Sequence, residues 1–285
     1  MTIKIVTDST SYISDDLKQK YDISIVSLSV IFGSEELKEI NIKNETFYKK
    51  LDESMITPTS SQPSLDEMYN VLEEQIRDNN QVVGVFISSD MSGTYSNACR
   101  AKSMILEKYQ NAVIKIIDSR SNCMQLGFAV LTAAKAAHMG KSIDQVVTLV
   151  EENVKRSRFL FIPDTLEYLK KGGRIGGASA LLGTIFQIKP ILTVIDGKTE
   201  LFRKVRTKKR AIQTMVDKFI EDITKNGLAE VMIHHINDVE GALAFATIIE
   251  KCTGKKIEIA PIGPVIGTHV GPGALGIVYY TEKNL

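Results

Sequence analysis

The chain of 285 residues carries 35 Lys plus Arg against 34 Asp plus Glu, a formal net charge of +1, so no global field recruits nucleic acid or an anionic membrane, and electrostatic recognition is left to local patches. With 44% apolar residues, 24% charged residues and 7 Pro, the composition excludes a disordered or fibrous chain. At roughly 150 residues per domain the length predicts about two domains, enough for a sizeable core and a cleft.

The first half alternates β-branched runs with helical patterns. Residues 3–7, 23–30, 82–87 and 112–117 are apolar nearly throughout, as strands of a parallel sheet buried on both faces would be. Ser14 before Asp15-Asp16, Ser64 in Ser64-Leu65-Asp66-Glu67 and Ser142 before Ile143-Asp144 read as helix N-caps, the second as a capping box. The alternation predicts a three-layer α/β/α parallel-sheet domain over residues 1–156.

Beyond it the pattern changes. The Gly-rich stretch 170–177 reads as a helix stop and restart. Residues 190–195 and 199–205 flank Asp196-Gly197, the signature of a β-hairpin. With later strand patterns at 230–235, 256–260 and 276–280, they predict an α+β domain with a mixed sheet over residues 157–285.

Cys99, Cys123 and Cys252 show no Cys-x-x-Cys spacing, which argues against a zinc cluster or a disulfide framework. Residues 1–10 lack the apolar run of a signal peptide, and no stretch reaches 18 uninterrupted apolar residues. A cytoplasmic protein without stable membrane insertion is expected.

Ligands of open parallel sheets bind beyond the carboxyl ends of the strands. There the sequence places Asp8-Ser9-Thr10-Ser11, the run from Ser88 to Thr94, and Asp118-Ser119-Arg120-Ser121, with the hydroxyl-rich Thr59-Ser60-Ser61-Gln62-Pro63-Ser64 between the second and third strands. Each turn has two readings, as helix caps or as ligand donors. Ser92-Gly93-Thr94 stands apart, because its Gly removes a Cβ where backbone amides would approach an anion.

Residues 271–276 formally match G-x-G-x-x-G. A strand follows, however, and nine residues remain, too few for a dinucleotide-binding unit. What is left is a stiff Gly-Pro loop carrying His269, which reads either as a structural histidine or as a ligand group. His234 and His235 fall on opposite faces of a strand and do not chelate together. Phosphate-loop, H-E-x-x-H and G-x-S-x-G patterns are absent. No cofactor and no metal are expected.

Taken in order, Thr7-Asp8-Ser9-Thr10-Ser11, Ser60-Ser61-Gln62-Pro63, the run Ser88 to Tyr95, Asp118-Ser119, Lys171-Gly172-Gly173-Arg174-Ile175, Ile188-Lys189-Pro190, Val205-Arg206-Thr207-Lys208-Lys209-Arg210 and His269-Val270-Gly271-Pro272-Gly273 resemble the DegV family of fatty-acid-binding proteins. Its FakB-type members serve a bacterial fatty acid kinase. The resemblance implies a buried acyl chain, with its carboxylate held near the lobe junction by Ser60, by Ser92 with Gly93 and Thr94, and by His269. Ser60 is a departure, since the family usually has Thr there; serine keeps the donor and loses a methyl that fixes the rotamer. The implied partners are a long-chain fatty acid, a FakA-type kinase catalytic subunit and an acyltransferase of phospholipid synthesis.

The residues read by themselves agree, because donors gather without the paired carboxylates, metal ligands or nucleophile-base pairs of catalysis. Leu181, Leu182, Ile185 and Phe186, in the apolar helical stretch 178–189, are either tunnel wall or plain core. The basic run from Arg203 to Arg210 is either a solvated face or a docking spot, since cations at the start of a helix oppose its dipole. The resemblance, in which basic residues of FakB-type members help engage the kinase, implies that Arg206, with Arg174 second, engages the kinase and not the lipid. A nucleic-acid role for that run is disfavoured by the neutral chain and the absence of interleaved aromatics. The alternative function is an esterase-like acyl transfer, with Ser92 as nucleophile and His269 as base, against which the missing nucleophile elbow argues.

Overall fold

A computed structural model describes residues 2–181 and 188–285. In chain order the first half forms β1 (Ile3–Asp8), β2 (Ile23–Val26), β3 (Ser29–Phe32), β4 (Glu35–Lys38), β5 (Thr59–Ser61), β6 (Gln81–Phe86) and β7 (Ile114–Asp118). Four of these make a parallel sheet in the order β2-β1-β6-β7. Alternate side chains leave its two faces. Val6, Val82 and Phe86 pack with Met68, Leu72 and Ala98 of helices Leu65–Arg77 and Thr94–Lys108. Ile5, Val83 and Val85 face Leu126, Ala129 and Val130 of helix Cys123–His138. This is the three-layer arrangement expected of apolar parallel strands.

The second half supplies β8 (Ser157–Ile162), β9 (Lys189–Ile195), β10 (Lys198–Val205), β11 (Glu230–His235), β12 (Glu258–Pro261) and β13 (Leu275–Tyr280), in a separate mixed sheet ordered β10-β9-β8-β13-β11-β12. Only β11 and β12 pair in parallel. Strand β8 alternates cleanly: Leu160 and Ile162 pack with Phe219 and Phe245 of helices Lys208–Asn226 and Val239–Thr253, whereas Phe159 and Phe161 turn towards helix Cys123–His138. That helix therefore lies between the two sheets and joins their cores. The hairpin turn is as read, with Asp196 at φ 48° and Gly197 at φ 81°, both positive as its geometry demands.

Two expectations need correction. Residues 23–30 are not one strand. The chain bends at Ser27-Leu28, where Ser9 Oγ accepts from Leu28 N at 3.1 Å and Leu28 O accepts from Glu39 N at 2.9 Å. Beyond the bend β3 enters a small antiparallel sheet ordered β4-β3-β5. Nor is the Gly-Pro stretch a loop, for Pro264–Val270 is a helix. Proline suits the first helical position, where its missing N–H is not needed, and Gly271 at φ 80° ends the helix.

Ser64 and Ser142 both close capping boxes, whereas Ser14 occupies its cap position without a side-chain bond. Helix Glu167–Lys171 stops at Gly172 and a short 3-10 turn restarts at Gly176–Leu181. Leu181 is buried at 1% exposure; Leu182, Ile185 and Phe186 lie outside the described residues. Among the described residues no helix is long and apolar enough to cross a membrane.

Candidate functional site

Where the two sheets meet, a cavity of about 280 Å³ opens. Its wall is mostly apolar and comes from both halves of the chain: Leu28, Ile87 and Met91 from the first, Phe159, Phe161 and Ile266 from the second. Its polar lining includes Ser60, Gln62, Ser92, Gly93, Arg174 and His269.

These polar residues are linked by contact. Ser60 lies on β5, held opposite Val30 of β3, and its Oγ is 2.7 Å from His269 Nε2. His269 is in the last turn of helix Pro264–Val270, and its Nδ1 is buried without a hydrogen-bond partner. The Gly172 α-carbon packs on that atom so closely that a Cβ would stand 2.1 Å from it. Arg174 Nε donates to Met91 O at 3.0 Å and its Nη1 to Gly172 O at 2.6 Å, tying the Gly172 turn to the loop after β6. In that loop Ser92 Oγ is 2.9 Å from Thr94 Oγ1 and accepts from Thr94 N at 3.3 Å. Gly93 closes the circle, since a Cβ there would stand 1.8 Å from Gln62 Oε1.

Burial, and secondarily the Arg174 charge, lower the His269 pKa to about 4. The imidazole is therefore neutral at neutral pH, with one N–H and one lone pair. Placing the proton on Nε2 leaves no N–H orphaned and makes His269 the donor to Ser60. The Ser60 hydroxyl then has its own proton free for the cavity. With Arg174 beside it the site is net positive and rich in donors, an arrangement that suits a carboxylate.

Ser60, Ser92, Gly93 and His269 thus line one cavity. Thr94 is buried behind it, at the start of its helix. Arg174, expected at a partner surface, is exposed and also lines this cavity. Arg206 is exposed on the turn between β10 and helix Lys208–Asn226 and is not part of the lining. No hydrogen bond joins Ser92 to His269 among the described residues, and no carboxylate orients the far nitrogen of His269. Gln62 was missed as a site residue although it stands in the Ser60-Ser61-Gln62-Pro63 motif; its contact with Gly93 depends on the fold. The cavity also carries Asn122, whose Oδ1 is buried and unpaired, a group sequence reasoning had no means to single out.

A family model described as an uncharacterised protein of the DegV family matches residues 2–282. A DegV domain-containing protein of Clostridium acetobutylicum is 55% identical over 285 residues, covering 100% of both chains. Two solved structures superpose closely. One is a DegV family protein from Thermus thermophilus described by its fatty acid binding, with 28% identity, a TM-score of 0.90 and coverage of 99% of this chain and 100% of that one. The other is a stearic acid-binding protein from Eubacterium ventriosum, with 27% identity, a TM-score of 0.90 and coverage of 98% of each chain.

Proposed function

The chain belongs to the DegV family, and from that premise we propose that it binds a long-chain fatty acid, with the acyl chain in the cavity between the sheets and the carboxylate at Ser60, Ser92, Gly93, Thr94 and His269. The observation that carries this reading is the junction of an apolar cavity with the neutral Ser60–His269 pair and Arg174. Each methylene buried contributes about 0.8 kcal/mol, so the chain supplies most of the affinity and the donors fix its orientation. The Thermus and Eubacterium proteins, described as binding fatty acid and stearic acid, support the ligand class.

The further role we propose is that of a FakB-type carrier in the cytoplasm, presenting the carboxylate to a separate ATP-dependent kinase and passing the acyl phosphate to an acyltransferase of phospholipid synthesis. Phosphoryl transfer needs a metal-bound nucleotide held by a phosphate-binding loop. This sequence carries no such motif, so the partner supplies it. Residues 1–156 and 157–285 are proposed as the two domains, with Arg206 and the exposed Arg174 facing the kinase.

The esterase-like reading has less support. A serine nucleophile needs a base within hydrogen-bond reach, itself oriented by a third group; His269 bonds Ser60 rather than Ser92, and its pKa of about 4 makes it a weak base. Native mass spectrometry of the purified chain tests the main reading. A co-purified species of fatty acid mass is expected. Release of p-nitrophenol from a long-chain ester by the protein alone would instead establish the enzyme.

A further inference from the structure

Behind the cavity lies a buried polar cluster that the carboxylate site does not itself include. Its centre is Glu39, 6% exposed. Glu39 Oε1 accepts from Val265 N at 2.9 Å and from Tyr12 Oη at 3.0 Å, and Oε2 accepts from Ser9 Oγ. Tyr12 Oη in turn accepts from Ile266 N at 3.3 Å. Val265 and Ile266 form the first turn of the helix that carries His269, and both line the cavity.

That helix is seven residues long and its N-cap, Gly263, has no side chain to satisfy the first-turn amides. Glycine is required there, because a Cβ would stand 2.6 Å from the Tyr12 ring and 2.8 Å from Glu39 Oε1. The capping groups come instead from residues 12 and 39, more than 220 positions earlier in the chain. Ser9, which holds Glu39, also holds Leu28 N, and Leu28 is another wall residue. One carboxylate therefore ties the loop after β1 to the helix that brings His269 to Ser60.

We propose that Glu39 is a positioning residue for the carboxylate site, fixing the His269 helix from the first half of the chain so that His269 meets Ser60. The proposal rests on the fatty-acid reading for its ligand, and its geometry can be tested without one.

A cost to stability supports it. The groups that act on Glu39 are Asp8 from β1, Tyr12, Tyr48 from helix Asn44–Glu53 and Cys123 from helix Cys123–His138. Asp15 and Lys18 of helix Asp15–Tyr21 line the pocket beside it and pair with each other, and among the described residues no ion pair reaches Glu39. Burial raises its pKa from 4.5 to about 7, against the lowering effect of its bonds to Ser9, Val265 and Tyr12. Because the folded value lies above the unfolded one, the contribution to stability falls as pH rises from about 4.5 to 7. Ionised Glu39 thus destabilises the fold, yet it is the form that accepts most strongly from Val265 N.

The two effects give opposite signs in one variant. In Glu39→Gln at about pH 8, the melting temperature is expected to rise while affinity for a fluorescent palmitate analogue falls about threefold, since charge-assisted bonds are roughly twice as strong as neutral ones. Below about pH 6 wild type and variant should converge, and their ratio cancels the titration of the ligand. In the ligand-free protein the His269 ring resonance, whose own titration lies near pH 4, should shift between about pH 6 and 8 in wild type and stay flat in Glu39→Gln. Tyr12→Phe, which removes the bridge to Ile266 N without changing charge, should weaken binding in the same direction and covers the case of a poorly folding Gln variant.

Equal affinities at about pH 8 for wild type and both variants overturn the positioning role and leave the fatty-acid reading intact. If wild type binds no fatty acid, that reading falls and the His269 resonance decides on Glu39 by itself; a resonance flat in both proteins overturns the proposal.

Discussion

His269 Nε2 lies 2.7 Å from Ser60 Oγ, although 209 positions separate the two residues. Each is fixed by a different device: Ser60 by its place on β5 beside β3, His269 by a short helix ended at Gly271 and capped from Glu39. With the proton on Nε2, the pair can act as a relay in which the imidazole donates to the serine and leaves the serine proton for a ligand.

Removing the relay should be costly and restoring its hydroxyl should rescue it. Ser60→Ala is expected to weaken fatty acid binding by about ten- to a hundredfold, as loss of a hydrogen bond to a charged group costs roughly 1.5 to 3 kcal/mol. Ser60→Thr keeps the donor with a stiffer rotamer and should bind at least as tightly as wild type. Calorimetric titration of the three proteins checks this; Ser60→Ala binding like wild type would remove Ser60 from the site.

Gly172→Ala isolates the position of the His269 ring. Gly172 has φ −75°, so alanine suits its backbone, and the only demand of the new Cβ is the space now occupied by His269 Nδ1 at 2.1 Å. The imidazole must move off Ser60. Affinity should fall about as far as in His269→Ala, roughly tenfold, while the cooperative unfolding transition persists. Unchanged affinity would mean that the ring is not held where the ligand needs it.

Ser92→Ala removes a hydroxyl that now bonds Thr94 and lines the cavity. An anionic ligand makes its loss worth roughly 1.5 to 3 kcal/mol. Binding of a neutral ligand of the same chain, such as the methyl ester, should change much less; an equal loss for acid and ester would point to misfolding of the loop.

Arg206 is exposed and apart from the cavity. Arg206→Ala should leave fatty acid affinity nearly intact and lower the phosphorylation rate when a fatty acid kinase is added, most clearly at low salt, where the wild-type contact is least screened. Loss of lipid with normal docking of the kinase would reverse the assignment.

His234 joins the two halves in its neutral form, accepting from Met124 N at 3.1 Å through Nε2, with Nδ1 2.9 Å from Ala260 O. Burial lowers its pKa from 6.5 to about 4. The unfolded chain therefore binds a proton that the folded chain refuses, and stability is full above about pH 6.5 and lost as pH falls towards 4. One such proton is worth about 1.4 kcal/mol per pH unit. Urea unfolding at a series of pH values should show His234→Gln with a slope smaller by about that amount across this window, whatever its absolute stability. An unchanged slope would place the acid sensitivity elsewhere.

The local features of this protein are legible in its sequence. Apolar β-branched runs gave the parallel strands, Ser64 with Glu67 a capping box, and Asp196-Gly197 a hairpin, because each depends on residues within a few positions of one another. The motifs that carry Ser60, Ser92, Gly93 and His269 stand out in the sequence too, but the residues alone left helix caps and a structural histidine open, and only the resemblance assigned them a ligand; that they line one cavity is a fact of the fold. Tertiary structure decided the rest. Residues 23–30 divide between two sheets because Ser9 and Glu39 take the backbone groups of Leu28. Pro264–Val270 is a helix because Glu39 and Tyr12 satisfy amides that Gly263 cannot. Arg174 and Gln62 reach the cavity by bonds and contacts to loops far away in the chain. Buried polar groups must find partners wherever the fold supplies them, and sequence spacing does not encode a partner more than 200 residues away.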